Sequence, residues 1–323
     1  MSTKEEVTLA YQLMLGRDPE SDAVVNNLCQ TAHSPYQLLE VFIKSPEFVK
    51  HMADLVSKPT AVRQRHPYTL PKIPVETFVS DEVLAQMFER ILQEWEHLGK
   101  TEPYWSVVTQ PKYYQNEFAQ HKEEFYVSGS YTNNIFLAAL RRCGVNPANL
   151  STCLEVGCGV GRVTEHLAKS FEKVIAADIS SQHIQIGRDH LQAKGLHNVE
   201  WSHWQTIEQI KRLPLVDAII SLITLQHNPP PVIAWMLAEL LGRLKPQGVA
   251  YIQIPTYRTG YLFEVERYMH TKAPNTLEMH FLPQFDVFKI IQSAGCLCLE
   301  VREDGMVGDE DKMLSNTFLI QKT

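Results

Sequence analysis

The sequence predicts an α/β protein: a seven-stranded, mostly parallel sheet wrapped by helices, with a small all-helical module before it. Three observations lead there. From about residue 150, apolar runs alternate with amphipathic stretches, the pattern of a parallel sheet with crossover helices. Within that region CLEVGCGVGRVTEHLA, Cys153 to Ala168, passes from an apolar run through three alternate glycines into a helical stretch. Residues 4–55 show helical periodicity alone, and a proline-dense segment follows them.

The elements follow in order. Val7, Ala10, Tyr11, Met14 and Leu15 mark one helical face that Gly16 can close, and Ser34-Pro35 and Ser45-Pro46 each pair an N-cap with a proline at the first helical position. Pro59, Pro67, Pro71 and Pro74 favour an extended linker over 58–80, between a helical module at 1–57 and a main domain at 81–323. A helix resumes at Asp81 with Leu84, Phe88, Ile91 and Trp95 along one stripe. Strands are expected at Thr152–Val156, Val174–Asp178, Val199–His203, Ala218–Leu222, Val249–Ile254, Cys296–Glu300 and Thr317–Ile320. Helices are expected at Val163–Lys169, Gln182–Gln192 and Val232–Leu244. Ligands of such sheets bind at the carboxyl ends of the strands, where strand order reverses.

Bulk composition narrows the classes. A chain of 323 residues, 44% hydrophobic, holds a large domain and a small one. Its net charge of -7 argues against a broad nucleic-acid surface. MSTKEEVTLA is too polar for a signal peptide, and the apolar run near Ala218–Leu225 is too short to span a bilayer. The six cysteines lack zinc-site spacing, and no metal site is expected; we read them as reduced thiols of a cytoplasmic protein.

The glycine loop reads E-x-G-x-G-x-G. A dinucleotide loop, G-x-G-x-x-G, fails in both registers, because the sixth position is Arg162 from Gly157 and Thr164 from Gly159. Glu155, an acid at the strand end, would repel a pyrophosphate and suits a ligand with positive charge. Asp178 ends the next strand about 20 residues on, where a βαβ unit places a ribose-binding acid.

In LEVGCGVGR and VIAADIS the chain resembles the class I S-adenosylmethionine-dependent methyltransferases, a Rossmann-like family, over roughly the last 200 residues. The resemblance implies S-adenosylmethionine as cofactor, held by Glu155, Gly157, Cys158, Gly159, Gly161, Arg162 and Asp178. Where family members often carry an acid for the adenine amino group, this chain offers Gln205. Trp204 either stacks on adenine or packs at the strand end. Asn228-Pro229-Pro230-Pro231 is similar to the motif of amino-methylating enzymes, but its prolines also suit the start of a helix.

His227 follows the fourth strand, where a general base for a hydroxyl acceptor would stand. The connection 255–283 holds Tyr257, Tyr261, Tyr268, His270 and His280, residues suited to a sugar-like acceptor, with His280 a second candidate base. Tyr104 and Trp105 close over the cofactor or pack. The N-terminal AYQLMLGRDPESD and FIKSPEF resemble a small helical domain of bacterial surface and glycan-assembly proteins, while LEMHFLPQFDV and SNTFLIQK are similar to methyltransferases encoded beside such enzymes. These resemblances imply O-methylation of a saccharide or glycan hydroxyl, with a glycan-assembly enzyme as possible partner of the module. The alternatives are an N-methyltransferase on a small molecule or protein, a nicotinamide-dependent oxidoreductase, and a non-catalytic scaffold.

Overall fold

The structure is a computed structural model that describes residues 2–57, 71–271, 277–308 and 312–323. It divides into two compact units, Met1–Pro67 and Tyr68–Thr323. Most of the proline-dense stretch, 58–70, lies outside the described residues.

The first unit is helical: α1 (Lys4–Leu15), α2 (Asp22–Thr31), α3 (Pro35–Ile43) and α4 (Pro46–Ser57). Thr3 and Glu6 cap α1 reciprocally, and Gly16 ends it in the left-handed region at φ 68°. Pro35 opens α3 behind the capping hydroxyl of Ser34. Val7, Tyr11, Leu15, Leu38 and Phe42 form this unit's own core.

In the second unit α5 (Asp81–Thr101) and α6 (Lys122–Arg142) precede the sheet. The chain then runs β1 (Thr152–Val156), α7 (Thr164–Ser170), β2 (Lys173–Asp178), α8 (Ser181–Ala193), β3 (Val199–His203), α9 (Ile207–Lys211), β4 (Val216–Ser221), α10 (Pro230–Gly242) and β5 (Leu244–Arg258). It closes with α11 (Val265–His270), α12 (Gln284–Ser293), β6 (Cys296–Asp304) and β7 (Met313–Lys322). The seven strands lie in the order β3-β2-β1-β4-β5-β7-β6. All pairs are parallel except those of β7 with β5 and with β6.

Side chains alternate across the sheet. Leu154, Val156, Ile175, Ile219 and Ile252 pack with α5, α9, α10 and α12, whereas Cys153, Val174, Ala218 and Tyr251 pack with α6 and α7. The chain leaves β1 outward to β2 and β3, then returns to β4, so strand order reverses between β1 and β4. That is the crevice where such sheets bind ligands.

Two expectations about extent are corrected. β5 runs on to Arg258, because Pro255, Tyr257 and Arg258 continue the ladder against Ser315, Leu314 and Met313 of β7. The stretch after residue 71, expected as linker, is partly docked: Phe263 donates its N–H to the Pro74 carbonyl at 3.1 Å and accepts from Glu76 at 3.2 Å. All six cysteines are unbridged, and among the described residues no helix is long and apolar enough to cross a membrane.

Candidate active site

A cavity of about 920 Å³ opens at the β1/β4 crevice, within the size range of small-molecule and cofactor sites. Glu155, Gly157, Cys158, Gly159, Arg162, Asp178 and His227 all line it.

The loop is shaped by the sheet end. Gly157 and Cys158 both donate backbone N–H groups to the Ala177 carbonyl, at 2.8 and 3.0 Å. Gly157 has φ 76°, and a Cβ there would stand 2.3 Å from the Thr224 side chain, so no other residue fits without displacing the turn after β4. Asp178 stitches the loop to β2: one carboxylate oxygen accepts from Gly159 N–H at 2.8 Å and the other from Ser180 N–H at 2.9 Å. Each oxygen keeps a lone pair for a ligand. Gly129 of α6 lies so close to the Arg162 carbonyl that an added Cβ would sit 2.0 Å from its oxygen.

Glu155 is buried, and Thr164 donates its hydroxyl to the carboxylate at 2.6 Å. Burial pushes its pKa up to about 8. Arg162 donates to Ser128 Oγ at 3.2 Å, while its buried Nε has no protein partner. The loop therefore sets a carboxyl and a guanidinium on one wall.

The turn after β4 holds the second group of residues. Ile223 is left-handed at φ 58°, a strained state for a β-branched residue. It is held there by Gln253 of β5, whose carbonyl oxygen accepts from Ile223 N–H at 3.0 Å. The same side chain donates to Gln226 Oε1 at 3.1 Å and to Ser315 Oγ at 2.7 Å. His227 Nδ1 donates to the Glu278 carbonyl at 2.8 Å, which leaves Nε2 to accept from Gln226 Nε2 at 3.2 Å. Burial lowers its pKa to about 4. The imidazole expected as a free base is thus neutral, with its lone pair already engaged.

Three other expected residues stand off the cavity. Gly161 packs against Gly187 and Leu191 of α8, a close helix contact. Gln205 is exposed, because Trp204 takes the inward position at the end of β3 and Gln205 N–H caps α9 through Gln209. His280 points away: its Nδ1 meets the Tyr261 hydroxyl at 2.8 Å and its Nε2 the Glu278 carboxylate at 3.1 Å. Residues 277–280 alternate sides, Leu277 and Met279 facing the cavity and Glu278 and His280 turning to Arg90 and Tyr261. The tyrosines Tyr261 and Tyr268 are packed there too and do not line the cavity.

Tyr104 stacks on Phe118 and Trp105 on Tyr114, so both pack, and the residues after them, Ser106 to Gln110, form the wall. Trp204 is in the core, 1% exposed, and lines the cavity. Asn228 donates to the Thr224 carbonyl at 3.0 Å, and its prolines start α10.

A family model described as a methyltransferase domain matches residues 153–248. No protein of curated function matches the sequence. Among solved structures, magnesium protoporphyrin IX methyltransferase from Synechocystis PCC 6803 with bound SAH is similar at 16% identity and TM-score 0.50, over 72% of this chain and 100% of that one. An S-adenosylmethionine-dependent methyltransferase from Clostridium acetobutylicum is 14% identical at TM-score 0.47, over 64% and 98%. The N-methyltransferase NodS from Bradyrhizobium japonicum WM9 is 16% identical at TM-score 0.44, over 71% and 98%. At such identities the likeness is one of fold. The matched segment spans the glycine loop, Asp178 and the turn after β4, and over those residues the chain is similar to a methyltransferase domain.

Proposed function

We propose that this enzyme transfers a methyl group from S-adenosylmethionine to an oxygen atom of a small-molecule acceptor. The observation that supports this most is the charge pattern of the glycine loop. S-adenosylmethionine carries an ammonium and a carboxylate at its methionine end; the Glu155 carboxylate and the unpartnered Arg162 Nε match them. Asp178 has lone pairs free for the ribose hydroxyls, and Trp204 lines the cavity where the adenine would lie. When bound, the cofactor supplies an electrophilic methyl group on a sulfonium. Glu155, Arg162 and Asp178 orient it, and the turn at 222–228 borders the acceptor.

Tyr261, Tyr268 and His280, expected to suit a sugar-like acceptor, lie off the cavity. We therefore take the acceptor to be a small molecule. Residues 1–57 we read as a separate module for docking, in line with their likeness to a helical domain of glycan-assembly proteins. Each unit has its own core, so deletion of residues 1–57 should leave S-adenosylmethionine affinity within about twofold. Loss of binding in soluble truncated protein would reject the separate module.

The pH dependence of cofactor binding tests the Glu155 role. Below pH 8 its carboxyl is largely protonated, and an arriving ammonium favours the ionised form. Binding then releases a proton, so affinity should rise by up to tenfold per unit from pH 6 to pH 8. Above about pH 8 the cofactor's own α-amino group loses its charge and affinity should fall. Calorimetry in two buffers of different ionisation enthalpy reads the released proton. Glu155→Gln should abolish the rising limb; a rising limb that survives in the variant removes Glu155 from the site.

A further inference from the structure

Beside the loop, the cavity has an aliphatic wall. Ile223 from the turn after β4, Leu277 and Met279 from the segment before α12, and Met306 and Val307 between β6 and β7 all line it, next to His227. A polyhydroxylated acceptor would bury its hydroxyls there without partners, whereas an apolar body would gain from every methylene covered.

The imidazole beside that wall is not poised to take a proton from an alkyl hydroxyl. His227 gives its Nδ1 hydrogen to the Glu278 carbonyl, and its Nε2 is met by Gln226. Gln226 is in turn fixed by Gln253, which is also bound to Ser315. Freeing the imidazole breaks into a buried chain of amides, and burial holds its basicity low. Lys112 and Glu124 at the rim are paired with each other.

We infer that the acceptor is an apolar-bodied oxygen acid, a phenol or a carboxylic acid, which lies against Ile223, Met279 and Met306 and presents its own ionised oxygen. The inference rests on the methyl-transfer reading above. The acceptor loses its proton to water before the transfer. A lone pair on its oxygen then forms the O–CH₃ bond as the S–CH₃ bond breaks, and that bond's electron pair passes to sulfur. Anion and sulfonium are both neutralised, a change that a site against an apolar wall favours over bulk water. His227 serves as a neutral wall.

The test uses the full chain with 4-alkylbenzoates, 4-alkylphenols and alkyl glucosides. Binding is measured on the protein loaded with S-adenosylhomocysteine, and transfer with radiolabelled S-adenosylmethionine. Acid probes should bind, tightening about fourfold per methylene up to butyl, and Met306→Asp should flatten that dependence. Label should appear on the phenol or carboxyl oxygen, and the two arms identify which. Between 4-butylphenol and a ring-fluorinated, more acidic analogue, the midpoint of the pH–rate profile should move with the acceptor's own pKa. A midpoint fixed across phenols, transfer to butyl glucoside but to no acid, or no acid probe bound to the loaded protein would each overturn the inference. Failure to bind S-adenosylhomocysteine itself would instead remove the methyl-transfer reading beneath it.

Discussion

Gly129→Ala should destabilise the protein and weaken cofactor binding, although alanine is the better helix former. Gly129 sits inside α6, where helix propensity alone gives alanine an advantage of about 1 kcal/mol. The packing has the opposite sign. The new Cβ would stand 2.0 Å from the Arg162 carbonyl oxygen and 2.7 Å from its carbon. Both are backbone atoms, so α6 and the glycine loop must separate, and overpacking of this kind costs about 1–3 kcal/mol or more. The displacement falls on the residue whose guanidinium is proposed to meet the cofactor's carboxylate. A melting temperature lowered by several degrees and an S-adenosylmethionine affinity lowered about tenfold or more are expected. A stabilised variant with unchanged affinity would show that α6 does not press on the loop.

Asp178→Ala should cost both stability and affinity. From sequence the acid is expected only to meet the ligand. In the structure it also accepts the N–H groups of Gly159 and Ser180. Removing it leaves two buried donors unmet, each worth about 1–3 kcal/mol, and loosens the turn that shapes the cavity. Affinity should fall about a hundredfold as loop order and ligand contacts are lost together. Asp178→Asn retains one acceptor oxygen and should fall between the variant and the parent. Titration calorimetry beside a thermal melt separates the two losses; unchanged affinity in Asp178→Ala would remove the residue from the site.

The glycine loop is legible because its turns need left-handed backbone at Gly157, Gly159 and Gly161, which few residues adopt, and the burial alternation of β1 and β2 is equally plain in Leu154, Val156 and Ile175. What escaped depends on contacts distant in sequence. Nothing local marks Gly129 as the point where α6 meets the loop. Gln253 did leave a trace, a single amide in the apolar run VAYIQIP, but its tie to the strained Ile223 needs the pairing of β5 with β4 and β7. His280 and Gln205 stand off the cavity because side-chain direction in a short extended segment turns on one residue of register, which tertiary packing fixes. His227 lines the cavity, yet its chemistry is set by Gln226 and by the Glu278 carbonyl, 51 residues away in sequence.

The central claim, that the crevice between β1 and β4 is built for S-adenosylmethionine, is tested most directly by calorimetric titration of the full chain at pH 7.5–8 with S-adenosylmethionine and, separately, with NAD. The account predicts saturable one-to-one binding of S-adenosylmethionine that Asp178→Ala weakens. It predicts no binding of NAD, whose pyrophosphate would face Glu155. Saturable binding of NAD with no heat from S-adenosylmethionine would contradict it.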